Sequence, residues 1–185
     1  MLRKPTHEGL EHRCQETETG HIARLEAIAQ VLQHPAPTIP EFLDFVLGIA
    51  LELAASRSGS LIWYDDKGRE FFIDHGLLSV TDSKTDDLRS GCEFGKRWVR
   101  VEAVRQGKPV ILNDLPFSHP LRQGCSESLN GRQRLMVIPV LSSQRVVAIV
   151  VVADKEMDYD RFDALQLAML MDVAWKMVEK KWAEN

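Results

Sequence analysis

The sequence has little of what secretion, metal binding or membrane insertion requires. Its three cysteines, Cys14, Cys92 and Cys125, are an odd number without C-x-x-C spacing, which argues against a disulfide framework and against a zinc site. No apolar run approaches the roughly 18 residues of a membrane-spanning helix. The polar N-terminus also lacks the apolar core of a secretion signal. We therefore predict a cytoplasmic protein that binds no membrane and carries no metal or cofactor.

Basic residues are not in excess either. The chain has 23 Lys and Arg against 27 Asp and Glu, a net charge of −4, and its cations are scattered among acids. Nucleic-acid binding depends on clustered Lys and Arg, so this class is excluded. No nucleophile-plus-base arrangement and no phosphate-binding loop is recognisable. These absences predict a binding protein rather than an enzyme.

What the sequence does contain begins with a helix. Residues 1–20 show no apolar period and predict a flexible lead-in, followed by a single domain over residues 21–183. A helix from Thr19 to His34 is predicted, with Pro35 ending it. One narrow stripe of this helix is apolar and resembles a coiled-coil seam; it comprises Ile22, Leu25, Ala29 and Leu32.

The middle of the chain predicts further helices and several strands. Thr38 and Glu41 have the spacing of a capping box, which marks the start of a second helix. The non-alternating run Val146–Val152 predicts a central strand that is covered on both faces. The other predicted elements are strands at Leu61–Tyr64, Glu70–Asp74, Pro109–Asn113 and Leu135–Leu141, a helix at Phe94–Gln106, and a long irregular connection at Asp114–Gly131.

The last helix is predicted from Asp160 to Ala183 and is apolar on two faces. A helix of this kind needs two surfaces to pack against. We predict that one face, with Leu165, Met169, Val173 and Met177, meets the sheet of the same chain. The other face contains Met171, Trp175, Val178 and Trp182 and is predicted to pair with a second copy. The alternative is that it packs against the apolar seam of the first helix within one chain, which would leave a monomer. The sum of these elements predicts an α+β layered domain.

Several segments, taken in order, resemble bacterial GAF domains. They are Ala103–Asp114, Arg134–Val140 and Val152–Lys155, followed by Asp158, Tyr159 and Asp163. The resemblance is to the GAF domains found beside PAS modules in bacterial sensor histidine kinases and related signalling proteins. It implies a PAS-like, central antiparallel five-stranded sheet flanked by helices, with long terminal helices that form a parallel homodimer. It also implies a small ligand and an output module such as the kinase of a two-component system.

The chain departs from the family pattern near the expected pocket. Related domains often have glycine-histidine in the long connection, where this chain has Ser128-Leu129, and asparagine-lysine after the last strand, where it has Asp154-Lys155. Lys155 and Asp163 belong to a motif that marks the cyclic-nucleotide-binding members. We favour a structural interpretation over nucleotide binding: Lys155 pairs with Asp163 at a helix N-terminus, where an acid is also favoured by the helix dipole.

The candidate ligand-binding residues lie around a cavity that we predict between the sheet and the Asp114–Gly131 connection. For Asn113, together with Asp114, bonds to backbone groups are favoured over ligand contact. Arg134 meets either an anionic ligand or an acid of the same chain. His119 is either a haem ligand or, as we favour, a solvated loop histidine. The full set comprises Trp63, Phe72, Asn113, His119 and Arg134.

Three functions follow from these observations. The first is a sensory module that binds a small ligand or a partner and transmits the signal through its terminal helices. The second is a dimerisation platform without a ligand. The third, which is less favoured, is an enzyme resembling free-methionine-sulfoxide reductase, with Cys92 and Cys125 as its redox pair.

Overall fold

The fold was analysed in a computed structural model, which describes residues 20, 22–35, 38–64, 70–74, 77–79, 100, 102–115 and 133–184. Helix α1 covers residues 22–33, α2 Ile39–Leu53, α3 residues 102–106 and α4 Arg161–Ala183. The strands are β1 Ser58–Tyr64, β2 Glu70–Asp74, β3 Leu77–Ser79, β4 Val110–Leu115, β5 Gln133–Ser142 and β6 Arg145–Ala153. The predicted lead-in, apart from residue 20, lies outside the described residues.

The strands form one antiparallel sheet in the order β3-β2-β1-β6-β5-β4. This sheet has six strands rather than the predicted five, because the short β3 pairs with β2. Its three residues lead into a polar stretch and carry too little pattern to be recognised from the sequence. The prediction for Val146–Val152 is confirmed, since β6 lies between β1 and β5 and its last six residues are all buried.

Local chemistry fixes where the helices begin and end. As predicted, Thr38 caps α2: its hydroxyl accepts a hydrogen bond from the backbone N–H of Glu41 at 3.4 Å. A proline occupies the first turn of the helix, where its missing N–H costs no hydrogen bond. At the end of α3, Gly107 adopts a φ of +60° and donates its N–H to the carbonyl of Ala103 at 2.9 Å. A left-handed residue that returns such a bond is a common helix end, and glycine adopts it without steric cost.

The two faces of the sheet bury different sets of residues. The helical face packs against α1, α2 and α4 in the main core, which includes Leu61, Trp63, Ile73, Met136, Ile138, Val150 and Val152. Packing is close here, because a Cβ added at Gly59 would lie 2.8 Å from both the Leu51 side chain and the carbonyl of Val151. The opposite face, which we call the α3 face, forms a separate cluster of Leu135, Val137, Ile149, Val151 and Ala153 with Ala103 of α3.

The prediction for the two faces of α4 is wrong for most of the residues named. Met171, Trp175 and Val178, which were assigned to a second copy, are buried in the main core of their own chain, and only Trp182 of that set is exposed, by 42%. Of the set assigned to the sheet, Leu165 and Met169 are 52% and 39% exposed, whereas Val173 and Met177 pack against the main core as predicted. Both stripes have helical spacing, and the buried one is extended by Leu167, Leu170 and Ala174 into the broader apolar surface. The width of the apolar surface decides which face a helix buries, and the spacing of one stripe does not reveal that width.

The predicted seam of α1 is largely exposed. Ala27 and Val31 face the core, whereas Ile22, Leu25 and Leu32 are each more than half exposed. Gly20, just before α1, lies beside the first turn of α4, since a Cβ added at Gly20 would lie 3.8 Å from the ring of Phe162. Within the described part of the chain, no helix is both long and apolar enough to cross a membrane.

Candidate functional site

The connection between β6 and α4, residues 154–160, gathers polar side chains at one end of the sheet. It begins at Asp154, whose φ of +65° lies in the left-handed region that Asp tolerates better than most residues. The Asp154 carboxylate accepts a hydrogen bond from the hydroxyl of Ser58 at 2.8 Å. Its N–H donates to the carbonyl of Arg134 at 3.1 Å. The connection is therefore tied to β1 and β5 as soon as it leaves β6.

The predicted pair of Lys155 and Asp163 is confirmed. The Lys155 Nζ lies 2.6 Å from Oδ2 of Asp163, and the two side chains are only 16% and 11% exposed. The same oxygen accepts the N–H of Asp160 at 3.0 Å, while the Asp160 carboxylate accepts the N–H groups of Phe162 and Asp163. This capping box satisfies N–H groups that the helix leaves without partners. The pair thus fixes the start of α4 on the end of β6.

Tyr159 is the buried centre of the connection. It is 2% exposed, and its hydroxyl lies 2.7 Å from Oγ of Ser56, which precedes β1. The ammonium of Lys155 lies 5.6 Å from the centroid of its ring, within the range of a cation–π contact. Burial raises the pKa of the Tyr159 hydroxyl to about 12 because the charged phenolate would lose its hydration.

The raised pKa of the Tyr159 hydroxyl predicts how the free energy of unfolding changes at alkaline pH. The neutral phenol is favoured in the folded state, so its contribution to stability is full below the ordinary pKa of 10 and is lost as the pH rises from 10 towards 12. We expect ultraviolet absorbance to show a tyrosine that ionises near 12 in the folded chain. Tyr159→Phe should remove that transition. A transition near 12 that persists in Tyr159→Phe, or its absence from the native chain, would contradict the assignment.

Asn113 joins β4 to this connection. Its side-chain nitrogen donates to the carbonyl of Tyr159, and its side-chain oxygen accepts the N–H of Tyr159, each at 2.8 Å. The side-chain amide of Asn113 therefore satisfies both backbone groups of a buried residue, as the backbone of a paired neighbouring strand would. The structural role favoured from the sequence is observed, although the partner lies 46 residues away rather than in the adjacent turn.

Arg134 pairs with an acid of the same chain, which is one of the two alternatives predicted for it. Its Nε lies 2.8 Å from Oδ1 of Asp158, and its Nη1 donates to the carbonyl of Lys155 at 3.4 Å. The Arg134 side chain is largely buried, whereas Asp158 is exposed. Arg134 thus pairs with an acid and with a backbone carbonyl of the same connection that Asn113 holds.

The structure does not bring all five predicted ligand-binding residues together. Asn113 and Arg134 meet at the connection, but Trp63 is buried in the main core and pairs with Ala148 near the other end of β1. Trp63 lies five residues along β1 from Ser58, which bonds to the start of the connection. Five residues of a strand span about 16 Å. Phe72 lies opposite Ile62 in the β1–β2 register. His119 and most of the Asp114–Gly131 connection lie outside the described residues, so the predicted cavity stays a prediction.

Sequence reasoning did not find Ser56 or the central position of Tyr159. Ser56 lies after the left-handed Ala55, 103 residues before its partner, and no local pattern links the two. Tyr159 appeared only as part of the segment that resembles GAF domains. The one signal in the sequence is Asp158-Tyr159-Asp160 just before the start of a helix. This pattern indicates a helix cap rather than a buried tyrosine hydroxyl.

A family profile described as GAF domain matches residues 36–179, more than three quarters of the chain. The chain belongs to the GAF family. This GAF domain is similar to the methyl sulfide methyltransferase-associated sensor of Methanosarcina acetivorans, with 32% identity over 172 residues, which cover 88% of this chain and 16% of the relative. The chain therefore spans only a small part of that protein's length.

Solved structures support the fold. The GAF domain of an Acinetobacter phosphoenolpyruvate-protein phosphotransferase superposes with a TM-score of 0.62 at 14% identity, covering 90% of this chain and 97% of the other. The free methionine-R-sulfoxide reductase of Neisseria meningitidis, in complex with its substrate, gives 0.62 at 16% identity, with 92% and 94% covered. At such identity the likeness concerns the fold alone. Cys92 and Cys125, the predicted redox pair, lie outside the described residues.

Proposed function

We propose that this GAF domain is a sensory module, extending over residues 21–183, that binds a small molecule on the α3 face of its sheet. The observation that carries the proposal is the contrast between the two faces. The helical face is filled by α1, α2 and α4, which form one continuous core. The α3 face has its own apolar cluster, and among the described helices only α3 contributes to it, through Ala103. Such a face is a suitable floor for a ligand.

The chemistry of this floor indicates the class of ligand. It is aliphatic, formed by Leu135, Val137, Ile149 and Val151. Ser60 adds a hydroxyl, because it pairs with Val151 and therefore lies on the same face, 7% exposed. We therefore propose a small, neutral and largely apolar ligand that forms one or a few hydrogen bonds. The side chains of this cluster are all uncharged, so a charged ligand would lose its hydration there without gaining a counter-charge.

A ligand screen tests this proposal. We expect at least one neutral metabolite to raise the melting temperature, by roughly 5–10 °C at about one hundred times its dissociation constant. Ser60→Val, which removes the hydroxyl and adds volume at the floor, should abolish most of that shift. Ser142→Val is the matched control, since it makes the same change in β5 at an end of the sheet far from Ser60. A screen without hits would favour the ligand-free dimerisation platform, and an equal shift in Ser60→Val would place the ligand elsewhere.

We further propose that the signal leaves through the terminal helices of a homodimer. Both α1 and α4 expose apolar side chains, and Gly20, just before α1, lies beside Phe162 in the first turn of α4. We call this set the terminal-helix patch: Ile22, Leu25, Leu32, Phe162, Leu165 and Met169. A monomer usually avoids an exposed apolar area of this kind. Pairing the patch with the same patch of a second copy buries it symmetrically.

The relative's name supports this direction, since it describes a sensor, and the part that this chain matches is 16% of that protein's length. In a longer protein, a dimer formed by α4 would place the two helix ends together, where an output module such as a histidine kinase receives them. A ligand affects that module only if it binds the two helix arrangements with different affinity.

A further inference from the structure

Two consecutive residues of β4 contact opposite faces of the sheet. Leu112 packs against the cluster of the α3 face. Asn113, the next residue, holds both backbone groups of Tyr159, which belongs to the core of the helical face. Tyr159 immediately precedes Asp160, the N-cap of α4. A single peptide unit therefore separates the proposed ligand floor from a contact that fixes the start of α4.

The backbone at this point is irregular. Leu112 pairs with Leu135 and Leu115 pairs with Gln133, so β4 advances three residues where β5 advances two. The extra residue makes a β-bulge, which interrupts the regular pairing and redirects side chains. Asn113 lies inside this bulge and is not held by ladder pairing with β5. Its position depends on how the bulge is arranged.

We propose that the β4 bulge couples the α3 face to α4, with Asn113 as the positioning residue. The inference rests on the proposed ligand site for its physiological input, but the coupling is a property of the ligand-free chain. A change in the packing of Leu112 shifts the bulge, and Asn113 carries the shift to Tyr159. A hydrogen bond weakens steeply as its angle closes, so a small displacement of the amide affects both 2.8 Å bonds at once.

The rest of the connection explains why the effect reaches the helix. The Tyr159 ring is held by the Ser56 hydroxyl and lies near the Lys155 ammonium. Lys155 in turn is paired with Asp163 in the first turn of α4. When Asn113 releases the Tyr159 backbone, the N-cap loses one of the supports that position it. Looser capping then appears first in the amides of that turn.

Amide hydrogen exchange measured residue by residue by NMR tests the coupling in a double-mutant cycle. Leu112→Ala should speed exchange of the Asp163 and Ala164 amides at least about fivefold, the loss of roughly one hydrogen bond. In the Asn113→Ala background, the same Leu112→Ala change should have an effect below about 1.5-fold, because the link is already broken. The exchange rates of Asp163 and Ala164 are divided by those of Leu170 and Ala174 in the middle of α4, which report opening of the whole helix.

Two further variants make the outcome decisive. Asn113→Asp keeps the acceptor for the Tyr159 N–H and removes the donor to its carbonyl, so it serves as a milder background if Asn113→Ala does not fold. Thr38→Ala removes the cap of α2 and should leave the effect of Leu112→Ala on α4 unchanged. Equal effects of Leu112→Ala with and without Asn113, or no effect at Asp163 and Ala164, would overturn the coupling. Failure of the ligand site is a separate result, visible only in the Ser60→Val melting experiment.

Discussion

Lys155→Met is expected to lower the free energy of unfolding by about 3 kcal/mol. The variant keeps most of the side-chain volume but leaves the Asp163 carboxylate, which is 11% exposed, without its cation. Breaking a largely buried ion pair from one side strands a charge in a poorly hydrated site, and this costs about 3–5 kcal/mol in fully buried cases. Some exposure remains here, so we expect the lower end of that range. Urea unfolding followed by circular dichroism measures it.

The neighbouring pair of Arg57 and Glu156 is the control. Their side chains are 62% and 78% exposed, so Arg57→Met should change the free energy of unfolding by less than about 1 kcal/mol. The double variant Lys155→Met/Asp163→Asn should recover part of the loss, because no charge is then left unpaired. If Lys155→Met is as mild as Arg57→Met, the buried pair does not stabilise the start of α4.

Leu165→Glu/Met169→Glu is expected to convert a dimer into a monomer at micromolar concentration. Both positions lie on the exposed face of α4 within the terminal-helix patch. Two copies would bring four carboxylates into an interface that is apolar in the native chain, losing hydrophobic burial and adding like-charge repulsion. We expect the dissociation constant to rise at least about 100-fold, or roughly 2.7 kcal/mol. Sedimentation equilibrium measures it directly.

An equally exposed apolar residue outside the patch provides the comparison. Leu141 at the end of β5 is 42% exposed, and Leu141→Glu should leave the dimer intact. Trp175→Glu is unsuitable for this purpose because Trp175 lies in the main core, so the variant would test folding rather than association. A native chain that sediments as a monomer would refute the dimer. A dimer that persists in Leu165→Glu/Met169→Glu would assign the interface to another surface.

The sequence by itself determined the elements whose signals are local. Thr38 and the capping pattern marked the start of α2, and the unbroken run Val146–Val152 marked a strand covered on both faces. Lys155 and Asp163 were paired correctly because this segment resembles a GAF motif in which a lysine after the last strand pairs with an acid at the start of the next helix. The predictions for α2 and β6 depend on hydrogen bonds and burial patterns within one or two turns of chain.

Only the tertiary structure decided which apolar stripe of α4 faces the core and what Asn113 does. Both stripes of α4 have helical spacing, and the choice depends on the combined surface that α2 and the sheet offer to it. Asn113 and Ser56 bond to Tyr159 across 46 and 103 residues, where a sequence carries no periodicity to reveal the partner. Long-range contacts of this kind form because the antiparallel order of β1, β6, β5 and β4 brings their ends together, and that order is a property of the folded chain.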